Sequence, residues 1–555
     1  MELPHRALAR LTAAATAALG AALIAVSLLA SPAAAQELEH QPSSQTKPPR
    51  FFERSAREVI RIASRAEKVR EERADGPLDP AAYTKGVGRW QVSFFRTGDE
   101  VAQVQIDDRS GAVLEQWTGD QVAWSMARGY EGAFGRKLNA PYVWIPLCVL
   151  FLAPFVDLRR PFRLLHLDLL VLLSFGLSHV FFNRGEIGLS VPLVYPVLLY
   201  LLARVLYAGF RPRERSGPLV PHVPLVWLMV GVVFLGAFRI GLNVVDSNVI
   251  DVGYAGVIGA DRIVDGDPLY GKGFSEDVEH GDTYGPVNYV LYVPFEQAFS
   301  WSGAWDDLPA AHGAAMAFDL LAIGGLFLLG RRLRPGREGL VLGVALAYAW
   351  TAYPYTAFVL ESNANDTLVA LAGVGALLAL TLRRPVDGLV GGLALALGAA
   401  AKFVPLALAP LFARRSTVVF VATLALVLAA TVVPFVPDGG LRELYDRTVG
   451  YQAGRPSPFG IWGQVDLAPL HTAAKAAAVA LAVLVAFVPR RPTPRQVAAL
   501  AAAVVIAVQL ATTHWFYLYV VWFVPFVLVT VLGAYRGRVA VEPPPPERER
   551  ELVPA

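Results

Sequence analysis

The stretch that decides the fold runs from Asn243 to Asp307 and reads NVVDSNVIDVGYAGVIGADRIVDGDPLYGKGFSEDVEHGDTYGPVNYVLYVPFEQAFSWSGAWDD. It is the longest polar interruption among the hydrophobic segments, and it holds twelve Asp and Glu residues but only Arg262 and Lys272 as bases. Because Lys and Arg concentrate in the cytoplasmic loops of membrane proteins, so acidic a loop belongs on the opposite side of the membrane. Its carboxylates, aromatic residues and Gly-Pro turn indicate a functional site.

The chain around this loop is strongly apolar. Its 555 residues are 55% hydrophobic, and many apolar runs approach the roughly 20 residues that span a bilayer, which predicts a polytopic membrane protein. The net charge of +3 is small and the bases occur in short clusters between spans, so nucleic acid is not an expected partner. A single cysteine, Cys148, excludes an intrachain disulfide and a thiolate metal cluster.

The N-terminal region has the layout of an export signal followed by a small domain. Arg6 and Arg10 precede an apolar run and the small residues SPAAAQ, which predicts a signal peptide, or alternatively an uncleaved signal anchor, over residues 1–35. Residues 36–138 are polar, with helical periodicity from Phe52 to Glu72 and alternating stretches RWQVSFFR, VAQVQID and AVLEQWTG. This α+β pattern resembles a PepSY-type domain, which we interpret as an exported cap or binding module without chemistry of its own.

The rest of the chain is predicted to be all α-helical. The apolar runs predict eleven spans, near 141–157, 162–182, 188–207, 222–242, 309–330, 339–360, 365–382, 417–436, 470–489, 496–513 and 515–534. Most of the arginine among them lies in seven connectors, at 157–163, 210–217, 330–338, 381–387, 413–416, 489–495 and 534–538. By the charge rule these connectors are all cytoplasmic.

That requirement predicts a re-entrant helix pair. If residues 386–413 crossed the bilayer once, the later arginine-rich connectors would end on the wrong side, so this segment is expected to enter the membrane and return. Lys402 lies between its two short apolar arms, and Pro405 weakens a continuous helix. A lysine within a membrane segment costs about 3 kcal/mol on insertion scales, so its usual place is a cavity or an interface. The tail, residues 536–555, is predicted to be disordered and cytoplasmic.

The polar residues that interrupt the apolar runs then collect on the exported face. The cytoplasmic connectors have no room for a nucleotide-binding domain or a phosphate-cradling loop, so an exported active site must use a substrate already across the membrane. A lipid-linked sugar meets that condition.

Three segments carry a family resemblance: DVGYAGVIGADRIVDGDPLY at 251–270, DTYGPVNYVLYVPF at 282–295, and ALGAAAKFVPLALAPLF at 396–412. They resemble the GT-C membrane glycosyltransferases and, more narrowly, glycosyltransferase family 87, the polyprenyl-phosphate-mannose-dependent mannosyltransferases of actinobacteria. The resemblance covers roughly residues 222–535, with 139–221 as accessory helices outside it. TYGPVNY stands where the family more often has a Tyr-Pro-Pro run.

The resemblance implies an integral enzyme of the plasma membrane. It would transfer a sugar, with mannose favoured, from a polyprenyl-phosphate donor to a cell-envelope glycan or glycolipid, with inversion and an extracytoplasmic active site. No metal ion or cofactor is expected. Asp265 and Asp267, which could be mistaken for a metal motif, are more simply a turn, because hard metals need more oxygen ligands than two carboxylates supply.

Asp251 is the predicted general base. It begins an amphipathic stretch just beyond a span, at the position that matches the family's aspartate, and a positioned carboxylate can remove the acceptor's proton. The plainer alternative is a helix-capping or solvated aspartate, and Asp246 is the second candidate for the base.

The other candidate site residues are predicted to bind substrates. Asp282 with Tyr284, together with Tyr254, would contact sugar, and Glu361 would hold the acceptor or a loop. Four side chains could supply positive charge to the leaving phosphate: Arg239, Lys402, Arg455 and His514. Snorkelling to the interface is the alternative for the first two, and ordinary loop or belt positions for the last two. Helix capping explains Asn365 or Asp366.

Two other function classes remain open. An ion-coupled transporter or a lipid-linked sugar flippase would place its charges near the middle of the bilayer, whereas here they cluster towards one face. A sensor would require a cytoplasmic output module.

Overall fold

The computed structural model describes residues 39–85, 88–129, 135–271, 274, 280–303, 308–455 and 457–536. The predicted signal segment lies outside these residues, and so does the predicted tail apart from Arg536.

The first described unit is an α+β domain. Its antiparallel sheet has five strands in sequence order: β1 (Glu39–His40), β2 (Asp79–Lys85), β3 (Arg89–Arg96), β4 (Asp99–Asp107) and β5 (Val113–Thr118). The alternating side chains Trp90, Val92 and Phe94 of β3 are fully buried in a core shared with two helices. The strands predicted over 89–96, 101–107 and 112–119 are thus present as β3 to β5.

Two helices cover this sheet, and they lie largely within the segment from Phe52 to Glu72 that has helical periodicity. They are α1 (Ala56–Ala63) and α2 (Glu67–Ala74). Ser55 and Glu58 form a capping box that begins α1, because the side chain of each residue accepts a hydrogen bond from the backbone N–H of the other. A short third helix, α3 (Asp120–Ala123), leaves the sheet towards the membrane region.

The remainder of the described chain is almost entirely helical. Its helices are α4 (Pro141–Leu152), α5 (Leu164–Leu173), α6 (Phe175–Phe182), α7 (Ile187–Phe210), α8 (Leu225–Asp246), α9 (Asp251–Asp265), α10 (Pro286–Val290), α11 (Val293–Ala298), α12 (Pro309–Leu333), α13 (Gly336–Ala352), α14 (Pro354–Glu361), α15 (Thr367–Ala379), α16 (Val386–Ala401), α17 (Ala409–Phe412), α18 (Thr417–Val432), α19 (Gly440–Tyr445), α20 (Tyr451–Gly454), α21 (Ile461–Gln464), α22 (Ala468–Leu484), α23 (Pro494–Ala511) and α24 (Val520–Leu532). Two short strands, β6 (Arg215–Ser216) and β7 (Tyr535–Arg536), pair in parallel.

Among the described residues, six helical segments are long and apolar enough to cross a membrane: Leu164–Phe182, Ile187–Phe210, Leu225–Asp246, Pro309–Leu333, Thr417–Phe435 and Pro494–Ala511. Shorter apolar helices are Pro141–Leu152, Thr367–Ala379, Val386–Ala401, Ala468–Leu484 and Tyr517–Leu532. The chain is therefore a multi-pass membrane protein. Some predicted spans are interrupted: the span near 339–360 breaks at Tyr353, where Pro354 starts a new helix because proline cannot donate to the preceding turn.

The arginine-rich connectors meet on one face of the molecule. Strand pairing joins connector 210–217 to connector 534–538. Two other connectors contact Tyr535: the Arg163 guanidinium lies over its ring, and Arg334 donates to its carbonyl. Arg495 donates to the Arg213 carbonyl. Arg414 donates to the Pro489 carbonyl and so adds connector 413–416.

The segment 386–413 turns back to this same face. At its start, Asp387 accepts a hydrogen bond from Ser416 at 2.6 Å and pairs with Arg415 at 3.2 Å, so the two ends of the segment lie together. Between them, α16 ends at Ala401, and a 3₁₀ turn, Val404–Leu408, leads back through α17. The break at Lys402 therefore lies at the opposite end of the segment, away from the arginine-rich connectors.

Candidate functional site

A pocket of about 300 Å³ lies at this break. It draws titratable side chains from five widely separated parts of the sequence: Asp251, Asp366, Lys402, Arg455 and His514. Apolar and aromatic residues complete the wall, among them Tyr284, Phe403, Val404, Leu518, Tyr519 and Trp522. Acid, base and apolar surface thus share one cavity.

Asp251 is held at the edge of the pocket by main-chain contacts made just before α9. The Asn248 and Ile250 N–H groups donate to the carbonyls of Glu361 and Ser362, at 3.1 and 3.3 Å. Asn363 reinforces this pairing, because its side-chain amide donates to the Asn248 carbonyl at 2.9 Å. The turn after α14 therefore fixes where α9 begins.

The Asn363 backbone has φ of +48°, in the left-handed region that asparagine tolerates better than most residues. Its side chain lies between α8 and the start of α9: it donates to Ser247 Oγ at 3.1 Å and accepts from Asn243 Nδ2 at 3.0 Å. All of these side chains except Ser247 are fully buried. The sequence SNAND at 362–366 is thus a built turn.

The Asp251 carboxylate is open to the pocket but enclosed by protein beyond it. This desolvation raises its pKa above the ordinary value of 3.8, while the positive charges of Arg455 and Lys402 oppose the rise. Its place in the first turn of α9 also puts it at the positive end of the helix dipole. Within the described residues, Asp251 has no ion-pair partner within 4.0 Å, so its carboxylate is available to a ligand.

Lys402 is paired with Asp366. Its Nζ lies 2.7 Å from Asp366 Oδ1, which also accepts from the indole N–H of Trp522 at 2.8 Å. Both charged residues are more than nine-tenths buried. Asp366 does occupy the N-cap position of α15, but its side chain makes no capping hydrogen bond, so the helix-cap reading of Asp366 is wrong. The ammonium group is a stronger partner than a backbone N–H.

The Gly-Pro turn of the acidic loop packs directly on this break. The Gly285 N–H donates to the Ala401 carbonyl at 3.2 Å, and a Cβ at position 285 would lie 2.1 Å from the Ala400 carbonyl oxygen. Only glycine permits this approach. The turn brings the Tyr284 ring to 5.4 Å from Lys402 Nζ, where ring and cation attract.

Arg455 and His514 form the other side of the pocket. The Arg455 guanidinium lies 4.8 Å from the Trp124 ring centroid. His514 Nδ1 is 2.8 Å from Ser457 Oγ. Burial, together with the nearby charges of Arg455 and Lys402, lowers the pKa of His514 to about 3, so its imidazole is neutral at pH 7 and contributes no positive charge. Lys402 and Arg455 are the cations of the pocket.

Asp282 and Tyr254 lie outside this pocket. Asp282 pairs with Arg447 at 2.9 Å and lines a neighbouring, more open pocket of about 520 Å³. Thr283 lines both pockets, so the two adjoin. Tyr254 is buried in the packing of α9, with its ring edge-on to Trp301.

Arg239 and Glu361 also lie away from the pocket lining. Arg239 is fully buried, pairs with Asp319 at 2.8 Å and donates to the carbonyls of Trp350 and Thr351. Glu361 is fully buried, and neither of its carboxylate oxygens has a hydrogen-bond partner among the described residues. Its backbone carbonyl, rather than its carboxylate, contributes to the site through Asn248.

The contributors that the sequence analysis did not identify include Asp366, Trp522, Asn363 and the N-terminal domain residue Met126, which lines the pocket. Trp522 lies within an apolar run, where an indole is unremarkable. The run SNAND was a signal in the sequence that could have pointed to this site. Burying several amide and carboxylate side chains between two apolar segments costs free energy unless they have hydrogen-bond partners. No group of three or more potential metal ligands was found within the described residues.

One family model matches part of this chain. Residues 283–514 match the family model of glycosyltransferase family 87. Over this segment the chain is similar to the family 87 glycosyltransferases. The match confirms the resemblance seen in the sequence, although it spans a shorter segment than the 222–535 expected. Tyr284, Glu361, Asp366, Lys402, Arg455 and His514 fall inside the family 87 segment, whereas Asp251 precedes it. No curated protein and no solved structure matches the chain.

Proposed function

We propose that this family 87 membrane glycosyltransferase moves a sugar, with mannose favoured, from a polyprenyl-phosphate donor to a cell-envelope glycan or glycolipid. The reaction takes place on the extracytoplasmic side of the plasma membrane and inverts the anomeric configuration. In this arrangement the arginine-rich face is cytoplasmic, the predicted spans with the re-entrant pair 386–413 form the membrane region, and residues 36–138 are exported.

The observation that carries the proposal is the composition of one cavity. A carboxylate with a raised pKa, two cations and an apolar wall meet at the end of the molecule opposite the arginine-rich connectors. Sugar transfer from a polyprenyl phosphate presents the matching chemistry: the acceptor hydroxyl has a proton to be removed, and the donor has a phosphate to be stabilised and a hydrocarbon chain to be kept from water.

Asp251 acts as the general base. Its carboxylate takes the proton of the acceptor hydroxyl as that oxygen forms a bond to the anomeric carbon, and the bond from this carbon to the phosphate oxygen breaks with its electron pair on the phosphate. A raised pKa suits the base, because proton transfer is most effective when its pKa approaches the working pH. Attack from the face opposite the phosphate gives inversion.

Lys402 and Arg455 stabilise the departing phosphate. Both cations face the same cavity, and positive charge fixed before the reaction is worth more in a site that excludes water. Asp366 and Trp522 hold Lys402 in place, while Phe403, Val404 and Leu518 offer an apolar wall to the polyprenyl chain. Asp282 and its pocket would contact the acceptor sugar.

The test is transfer by purified full-length protein from radiolabelled polyprenyl-phosphate mannose to an envelope-derived acceptor. Asp251→Asn should lower the rate by a hundred-fold or more, on the order expected for loss of a general base. Asp265→Asn, at the exposed last position of the same helix, is the matched control and should transfer normally. Undiminished transfer by Asp251→Asn would remove Asp251 as the base, and flipping of the lipid without transfer would favour a flippase.

A further inference from the structure

The N-terminal domain is fastened to the membrane region by the segment that follows its sheet. Gly129 approaches Gly185 so closely that a Cβ at position 129 would lie 1.9 Å from the Gly185 nitrogen. Gln121 donates from its side-chain amide to the Ala127 carbonyl at 3.1 Å and the Gly185 carbonyl at 3.4 Å. Arg128 ties the same segment to the sheet by donating to Gln103 at 2.8 Å. The domain is thus docked through residues 120–129.

This docked segment reaches the pocket. Met126 is part of its lining, and Trp124 contacts two lining residues, Arg455 and His514. The Trp124 ring is edge-on to Phe459 at 5.5 Å and 6.1 Å from the His514 ring. The Arg455 guanidinium lies over the face of the Trp124 ring, 4.8 Å from its centroid. A residue far outside the family 87 segment therefore contacts a pocket cation that lies within that segment.

Apart from Trp124, the Arg455 guanidinium contacts the Tyr451 ring more distantly, at 5.9 Å from the ring centroid. No carboxylate of the described residues pairs with it within 4.0 Å, and its buried Nε has no hydrogen-bond partner among them. Arginine carries about 2 kcal/mol of side-chain conformational entropy, so an unsupported guanidinium would sample several orientations. An indole face restricts it without neutralising its charge, whereas a carboxylate partner would cancel the charge that a phosphate requires.

We propose that Trp124 is a positioning residue for Arg455, so that the N-terminal domain completes the anion-binding side of the pocket instead of serving only as a cap. The ring presents the guanidinium to the phosphate of the lipid-linked donor. This inference rests on the proposed function, because it takes the ligand of Arg455 to be a polyprenyl phosphate.

The test measures binding of undecaprenyl phosphate to the purified full-length protein in detergent, with undecaprenol as the uncharged probe. Trp124→Ala should raise the Kd for the phosphate about tenfold, within the range of a desolvated cation–π contact, and leave undecaprenol binding unchanged. Trp124→Phe keeps an aromatic ring and should therefore lose less affinity for the phosphate than Trp124→Ala. Trp117→Ala is the matched control, since Trp117 also packs under cations, Lys68 and Arg128, but lies outside the pocket; its affinity should equal that of the wild type.

A double-mutant comparison identifies the route of the effect. In an Arg455→Gln background, Trp124→Ala should cause no further loss, because the group it positions is gone. An equal loss in both backgrounds, or wild-type affinity in folded Trp124→Ala protein, would overturn the inference while leaving glycosyl transfer intact. Wild-type protein that neither binds the phosphate nor transfers sugar would instead overturn the proposed function.

Discussion

Lys402 and Asp366 form a buried ion pair at the break of segment 386–413, with 2.7 Å between Nζ and Oδ1. The same oxygen accepts a hydrogen bond from the indole of Trp522. A second pair elsewhere is built in the same way: Asp319 Oδ1 accepts from Arg239 and from the indole of Trp350, each at 2.8 Å. The two pairs share chemistry and burial, but only the first lines the pocket. Comparing variants of the two pairs can therefore separate the effect of a buried ion pair on stability from its effect on catalysis.

Lys402→Met should both destabilise the protein and abolish transfer. Removing one partner of a buried pair costs about 3–5 kcal/mol, since an uncompensated charge remains. The double variant Lys402→Met/Asp366→Asn should recover most of the thermal stability in detergent, because no buried charge is left, yet it should stay inactive for lack of the phosphate-binding cation. Recovery of transfer along with stability would show that the pair has only a structural role.

The Arg239–Asp319 pair supplies the control. Arg239→Met alone should lower the melting temperature in the same way, and Arg239→Met/Asp319→Asn should restore it. Because neither residue lines the pocket, the folded double variant should retain transfer within a few-fold of wild type. Loss of transfer in that folded variant would return Arg239 to the site, where the sequence analysis had put it.

These two pairs also show what the sequence could predict. Lys402 was identifiable as functional, because a lysine between two apolar arms has few inexpensive explanations. Its partner was not, because Asp366 stands where a helix cap is expected and the pairing joins residues 36 positions apart. Arg239 had the same sequence signal as Lys402, a base near the end of an apolar span. Only the packing of α8 against α12 and α13 separates their roles, and periodicity carries no information on that packing.

The sequence predicted some features of the fold and missed others, as it did for the two ion pairs. Charge asymmetry indicated one arginine-rich face and a segment that turns back, since both follow from local composition. The break at Tyr353 follows from Pro354, a local signal that the span prediction did not use. The break from Ser64 to Ala66 has no proline or glycine to mark it. The docking of Trp124 on Arg455 joins residues more than 300 positions apart and has no local signature.

The pH dependence of transfer should report Asp251 and its neighbour Arg455. The base works when deprotonated, so kcat/KM should fall as pH drops through the raised pKa of Asp251, which lies above 3.8. Arg455 lowers that pKa, so Arg455→Gln should move the acidic limb to higher pH as well as slow the reaction. Arg442→Gln, an exposed arginine outside the Asp251 pocket, should leave the limb in place. If the acidic limb of the kcat/KM profile does not shift in Arg455→Gln, the titration belongs to a group other than Asp251.

Gly285→Ala tests the close approach of the acidic loop to the helix break. The added methyl carbon would lie 2.1 Å from the Ala400 carbonyl oxygen, so the turn must move away from α16 and take Tyr284 with it. Overpacking of this kind costs about 1–3 kcal/mol, and transfer should fall more steeply than stability because Tyr284 lines the pocket. Gly266→Ala disturbs a glycine with φ of +78° but open space around it, so it should lower stability with little change in the rate of the folded protein. Equal activity in the two variants would refute a role for the Gly285 approach.

Asn363 provides the last test, since its backbone and its amide can be separated. Alanine in Asn363→Ala tolerates the left-handed φ of this position less well than asparagine, and it also loses the hydrogen bonds to Ser247 and Asn248. Asn363→Gly relieves the backbone, worth about 1 kcal/mol, but still lacks the amide that holds the chain before Asp251. Thermal unfolding should therefore rank glycine above alanine, whereas transfer should be low in both, because Asp251 is no longer fixed in register. Wild-type transfer by Asn363→Gly would mean that the main-chain contacts of Asn248 and Ile250 position the base without the asparagine side chain.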